Sequence, residues 1–342
     1  MTNRFGTTDD WVDGDILYAA DNIDSIDNVR FCPITKLVNT NPFVGTVGFS
    51  ATNYSGVLAA GTIYTTTDSG TTWATKSTGI DTAAFMVRCK ATPANAFAIE
   101  ANVAASEAAI TTDSGVTWSD TDTDPSWGAE VYDVSYPVAG LIVVAGDDAG
   151  GGKHVVFSTN AGANWTDTTT AIGGAVYAVE MFSATVGYLL DASNNIWKTT
   201  DGAANWNNTT FDSAGSAIAW ASMLAISATK VVLFSGANSL ELYTDTVGCV
   251  RISSQAGDRC LGMWMTSLGT VYVLTATTNL TNRFLYRSDD VGVTWTMAII
   301  PGTSTAAAAA DETSKHTMTE IGTTGHLITS MVQTNMVRIN VS

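Results

Sequence analysis

Charge is scarce in this 342-residue chain: Asp, Glu, Lys and Arg make up 14% of it, against roughly 25% in ordinary soluble domains. Basic residues are the scarcest part, 15 against 32 acidic ones, which gives a formal net charge of −17. Such a surface repels nucleic acid and anionic membranes, so neither is expected as a partner. No apolar run approaches the roughly 18 residues needed to span a bilayer, and Met1-Thr2-Asn3-Arg4-Phe5-Gly6 shows no export signal. Cysteine is limited to Cys32, Cys89, Cys249 and Cys260, without CxxC spacing. Buried thiols are the simple reading, and a Cys249–Cys260 bridge stays open on sequence alone. His154, His316 and His326 lie far apart, so no metal site is expected. No cofactor is expected either, because Gly150-Gly151-Gly152-Lys153 lacks phosphate-loop spacing and no GxSxG elbow occurs. Asp147 and Asp148, just before that glycine run, lack the alternating oxygen ligands of a calcium loop.

What the chain does have is a repeat. Thr66-Thr67-Asp68-Ser69-Gly70-Thr71-Thr72-Trp73 returns closely as Thr111 to Trp118 and Ser288 to Trp295, with hydroxyl, Asp, Gly and Trp at the same offsets. Three copies are worn: Ser158 to Trp165 has Asn160 for Asp, Thr199 to Trp206 has its glycine one place early at Gly202, and Thr244 to Arg251 keeps only Thr244 and Gly248 in place. The terminal positions 73, 118, 165, 206, 251 and 295 are 45, 47, 41, 45 and 44 residues apart. That period predicts propeller blades within one closed domain. Short apolar runs such as Thr62-Ile63-Tyr64 precede the copies and read as strands entering a hairpin. There Asp accepts hydrogen bonds from turn N–H groups, Gly tolerates positive φ and Trp anchors the returning strand.

These motifs resemble the Asp box, the bacterial neuraminidase repeat, over roughly residues 40 to 342. The resemblance implies an all-β β-propeller in which each box joins the third and fourth strands of a blade, and the seven strand cycles counted from Gly45 onward make it seven-bladed. It also implies framework roles, not catalytic ones, for Asp68, Gly70, Trp73, Asp113, Gly115, Trp118, Asn160, Gly162, Trp165, Asp201, Trp206, Asp290, Gly292 and Trp295. Seven inner strands are expected to start near Gly45, Phe85, Val131, Val176, Ala219, Cys260 and His316. The last cycle ends at Met336 to Val341 after its third strand, so the segment around Asn28-Val29-Arg30-Phe31 is expected to supply its outer strand and close the ring. Residues 1–40 are therefore read as a segment for closure and attachment, and 41–342 as the propeller. The Ala-rich stretch Ala306 to Ala310 reads as a surface loop or short helix.

Trp11-Val12-Asp13-Gly14-Asp15-Ile16-Leu17-Tyr18-Ala19-Ala20-Asp21-Asn22 resembles a segment near the start of phage tail-fibre and virion structural proteins. That resemblance implies a virion location with other virion proteins or a host-surface glycan as partners and a homo-oligomer as one arrangement; an extracellular location is the alternative. Sialidases share the Asp box, but their Arg-Ile-Pro motif has no counterpart, since Val29-Arg30-Phe31-Cys32-Pro33 carries an extra residue. Other glycosidases need two carboxylates about 5 to 10 Å apart. Glu180 and Glu320 are notable because both fall in expected inner strands, where channel-lining is the plainer reading. The photosystem II assembly propeller is similar in repeat and size, but depends on an arginine patch that this acidic chain lacks. The expectation is a non-enzymatic phage or virus propeller, structural or receptor-binding; a glycoside hydrolase or an extracellular glycan-binding propeller is the alternative. Trp127, in Pro125-Ser126-Trp127-Gly128, is the sugar-stacking candidate, with packing against a neighbouring blade as its plainer role.

Overall fold

The computed structural model describes residues 29–34, 43–50, 53–58, 62–68, 72–76, 84–88, 94–100, 107–122, 130–147, 154–213, 221–236, 239–253, 259–277, 282–301, 318–320, 327–332 and 335–341. These hold 28 strands in seven four-stranded antiparallel sheets. Six sheets are consecutive meanders, numbered here in chain order by their first strands: Phe43–Gly48, Ala84–Arg88, Glu130–Val138, Val176–Met181, Ser222–Ser227 and Arg259–Met265. The seventh runs Met318–Glu320, Leu327–Val332, Asn335–Val341, and is completed by Val29–Ile34 from the other end of the chain. Val29 pairs with Val341 and Ile34 with Met336, so the outer strand comes from the N-terminal segment.

The first strand of each sheet packs against that of the next, and Met318–Glu320 packs back against Phe43–Gly48, closing the inner strands into a ring. This is an all-β β-propeller. The inner strands begin within three residues of the expected positions. Strands such as Val271–Ala276 are buried at every residue because both faces of a sheet meet neighbouring sheets, which is why they read as unbroken apolar runs. The core is consequently a series of layers between sheets. Phe97, Ile99 and Ala108 of the second sheet meet Val134, Ile142 and Val144 of the third. Leu224, Val232 and Phe234 of the fifth meet Met263, Val271 and Val273 of the sixth.

Five hairpins joining third and fourth strands share one hydrogen-bond plan. A hydroxyl donates to the side-chain oxygen two residues on, at 2.8 Å for Thr66 to Asp68 and 2.9 Å for Thr111 to Asp113, Ser158 to Asn160, Thr199 to Asp201 and Ser288 to Asp290. That oxygen also accepts the backbone N–H of Thr72, Thr117, Asn164, Asn205 or Thr294, four residues beyond it. The second carboxylate oxygen of Asp68, Asp113, Asp201 and Asp290 accepts from the side chain of the same residue. Asn160 replaces that second acceptor with an amide, so its turn keeps the first two bonds only. Hydrogen bonds from Asn205 hold the Asp201 carboxyl below its usual value, and those from Thr294 bring Asp290 down to about 2. At Asp113 desolvation is the largest single influence and pushes upward, but the bonds from Thr117, Thr111 and Val116 together outweigh it and the net shift is downward.

The plan requires two successive left-handed residues: Ser114 and Gly115, Ala161 and Gly162, Gly202 and Ala203, Val291 and Gly292. The second of each pair faces the preceding sheet. A Cβ on Gly115 would lie 2.7 Å from Ser55 Oγ, and one on Gly162 would lie 2.6 Å from Thr121 Oγ1. In the copy whose glycine comes early, Ala203 fills that place and is fully buried against the layer containing Leu141 and Val143 of the third sheet. The tryptophans complete the clamp. Trp118 packs with Val47, Phe49 and Ile63 of the first sheet, Trp206 joins the layer with Leu141 of the third, and the Trp165 ring lies 6.1 Å from Phe97 of the second. Trp295 packs against the layer between the fifth and sixth sheets and donates its Nε1–H to Gly292 O at 3.0 Å. Trp73 is only half-buried. Gly70 and the Ala306 to Ala310 stretch lie outside the described residues.

Candidate functional site

The buried carboxylates of the inner strands are engaged in holding sheets together. Asp133 accepts from its neighbour Val134 N at 2.9 Å and, across the gap to the fourth sheet, from Val179 N at 3.0 Å. Ser135 Oγ accepts from Met181 N at 2.9 Å and donates to Glu180 Oε2 at 3.3 Å. Glu180, fully buried, therefore belongs to a bond network between the third and fourth sheets. Glu320 does the same for the sixth and seventh: its two oxygens accept from Ser267 N at 2.7 Å and Ser267 Oγ at 2.8 Å. The structure does not bring these two glutamates together, because they sit on the fourth and seventh inner strands with Val176–Met181 and Met318–Glu320 as their hosts. Glu241, also fully buried, accepts from Ser213, Ser235 and Ser239. Burial, with Glu241 adding to it, pushes the Cys249 thiol up. Cys249 and Cys260 are thiols with no bridge between them.

The most worn hairpin, Thr244 to Gly248, does not share that bond plan and docks on the fourth sheet by charge. Lys198 Nζ meets Asp245 Oδ2 at 2.5 Å and donates to Ala228 O at 2.9 Å. Tyr188 OH donates to the same carbonyl at 2.8 Å and lies 3.1 Å from Asp245 Oδ1. The ammonium also sits over the Tyr188 ring, 5.2 Å from its centre.

At the opposite end of the sheets from these hairpins, the third and fourth inner strands begin with matching irregularities. The register slips between Val131 and Asp133, and again between Val176 and Ala178, leaving Tyr132 and Tyr177 as the extra residues of two bulges. A bulge re-aims its side chain out of the ladder. The two rings meet edge to face, 5.1 Å between centres. Tyr132 OH donates to Glu130 Oε2, and Glu130 stands directly opposite Asp147 in the ladder. Burial, then the Glu130 hydrogen bond and charge, push the Tyr132 hydroxyl well above its usual value, with Tyr177 and Asp147 adding to the shift. Beside Asp147, at 3.6 Å, stands the Nδ1 of His154, whose side chain is 9% exposed. Sequence reasoning passed over this rim. The signal available was the shared Val-Tyr-x-Val of residues 131–134 and 176–179. Trp127, its own candidate, lies outside the described residues. Among the described residues no group of three or more His, Cys, Asp or Glu is placed to hold a metal ion, and no helix is long and apolar enough to cross a membrane.

No family model matches the chain, and no curated protein matches it in sequence. Solved structures do match in fold. "YCF48 bound to D1 peptide" superposes with a TM-score of 0.62 at 12% identity, over 91% of this chain and 97% of that one. "YCF48 from Cyanidioschyzon merolae" gives 0.61 at 14%, over 91% and 98%. The WD40 β-propeller domain of Doa1 gives 0.63 at 9%, over 91% and 97%. At such identities the likeness is one of fold: the chain is a β-propeller.

Proposed function

We propose that this chain is a seven-bladed, Asp-box β-propeller that works without catalysis, as a structural or receptor-binding component of a phage or virus-like particle. One blade per four-stranded sheet accounts for the blade count, and the shared hairpin bonds of Asp68, Asp113, Asn160, Asp201 and Asp290 support the Asp-box reading. The observation that carries the functional part is the employment of the inner-strand acids. Glu180 and Glu320, the carboxylates best placed in sequence for glycoside chemistry, hold neighbouring sheets together through Ser135 and Ser267. Hydrolysis needs a general acid and a second carboxylate as nucleophile or base, free to meet a substrate, and binding needs neither. The virion location rests on the resemblance of Trp11 to Asn22 to tail-fibre and virion proteins. A protein ligand is supported by analogy with the YCF48 propeller, whose structure is described as bound to a D1 peptide. Particles released by the source organism, banded on a density gradient and analysed by mass spectrometry, should contain peptides of this chain at a fixed ratio to the major capsid protein. Recovery of the chain only in the particle-free supernatant would contradict the location and favour the extracellular alternative.

A further inference from the structure

We propose that the rim formed by Tyr132, Tyr177, Glu130 and Asp147 binds the ammonium or guanidinium group of a lysine or arginine side chain on a partner protein. Four observations converge on a positively charged N–H donor. Glu130 and Asp147 are directly opposed across the ladder, an arrangement that repels when both are ionised and that a cation between them relieves. Two half-buried tyrosine rings stand edge to face at the same spot, and aromatic faces attract organic cations. His154 is almost fully buried, and its Nδ1 has no hydrogen-bond partner. That nitrogen faces Asp147 Oδ1 at 3.6 Å, beyond hydrogen-bond reach, and a buried polar atom is costly to leave without a partner. Finally, the same chain already holds a lysine in this way at Lys198, between the Asp245 carboxylate and the Tyr188 ring. The net charge of −17 would steer a basic partner toward the surface.

The proposal deepens the binding reading above by naming the chemistry of the partner, and its test fails separately. Full-length protein is titrated against fluorescein-labelled Gly-Gly-Arg-Gly-Gly, Gly-Gly-Lys-Gly-Gly and Gly-Gly-norleucine-Gly-Gly, read by fluorescence polarisation at low and high salt. The arginine and lysine peptides should bind about tenfold tighter than the norleucine peptide at low salt, with the margin shrinking as salt rises. Glu130→Gln and Asp147→Asn should each weaken the arginine peptide about three- to fivefold. Tyr177→Leu should weaken it comparably, with thermal midpoints of all three variants close to wild type. Equal binding of the three peptides would overturn the proposal, as would full affinity in both carboxylate variants, or displacement of the arginine peptide by calcium at lower concentration than by the lysine peptide. Equal peptide binding would leave the non-catalytic reading standing, whereas sugar release from glycans would end that reading without changing the peptide preference.

Discussion

Moving one methyl group between two equivalent turns tests whether the hairpins clamp each sheet to the one before. Gly162 and Ala203 hold the same place in successive repeats, both left-handed, with φ of +86° and +75°. In Gly162→Ala the new Cβ would stand 2.6 Å from Thr121 Oγ1. That hydroxyl cannot swing aside freely, since it donates to Gly162 O at 3.0 Å. Left-handed backbone costs a non-glycine residue roughly 1–2 kcal/mol, a lost or strained hydrogen bond adds about 1 kcal/mol, and a stiffer unfolded chain returns about 0.4–1 kcal/mol, so the change should destabilise by about 1–2.5 kcal/mol. The reverse change, Ala203→Gly, removes a fully buried methyl worth about 0.8 kcal/mol. It also loosens the unfolded chain, at about 0.4–1 kcal/mol. Relief of the left-handed strain, roughly 1–2 kcal/mol, offsets both, and the net effect should lie within about 1 kcal/mol of zero. Urea unfolding followed by circular dichroism measures each difference. Equal destabilisation by the two substitutions would mean that the contact with the preceding sheet does not distinguish the two positions and that the hairpins are not clamps.

Three other outcomes are expected. Trp118→Ala should destabilise by about 2–4 kcal/mol: large aromatic truncations cost about 3–5 kcal/mol, and the indole N–H, which is buried without a hydrogen-bond partner, returns part of that when removed; an unchanged urea midpoint would sink the clamp. Asp201 and Asp290 both have depressed folded-state values, so their contribution is present above the unfolded value and lost as pH falls, and for Asp290, at about 2 against 3.8, the loss runs from about pH 4 to about pH 2. Stability measured across that interval should fall less steeply in Asp290→Asn than in wild type. A double-mutant cycle of Lys198→Met with Asp245→Ala should give a coupling of about 1 kcal/mol, and a coupling indistinguishable from zero would show that this pair does not replace the missing turn bonds.

The repeat was legible because each copy writes its whole bond plan within eight residues, from hydroxyl to tryptophan, as in Thr111 to Trp118. The outer strand from Val29 was legible for a different reason: a last sheet ending at Val341 lacked one strand, and the apolar segment before the first repeat could supply it. What stayed hidden lies between sheets. Asp133 to Val179 and Lys198 to Asp245 join residues 46 and 47 positions apart, and no local pattern marks such partners. Glu180 and Glu320 were rightly placed on inner strands, yet a sequence cannot show that Ser135 and Ser267 already occupy them. The two tyrosines of the rim look like ordinary alternating strand residues until a register slip turns them out. The early glycine of the fourth copy looked like wear, and it is instead an exchange of places within a pair of left-handed residues, Gly202 and Ala203.

Binding without catalysis can be checked by incubating the protein with a broad glycan panel and with host cells, scoring retention and reducing-end release separately. Retention on cells, or on a subset of glycans, with no sugar released above a buffer blank is the predicted result. Reproducible release that disappears in Glu180→Gln or Glu320→Gln, while those variants keep the wild-type thermal midpoint, would contradict it.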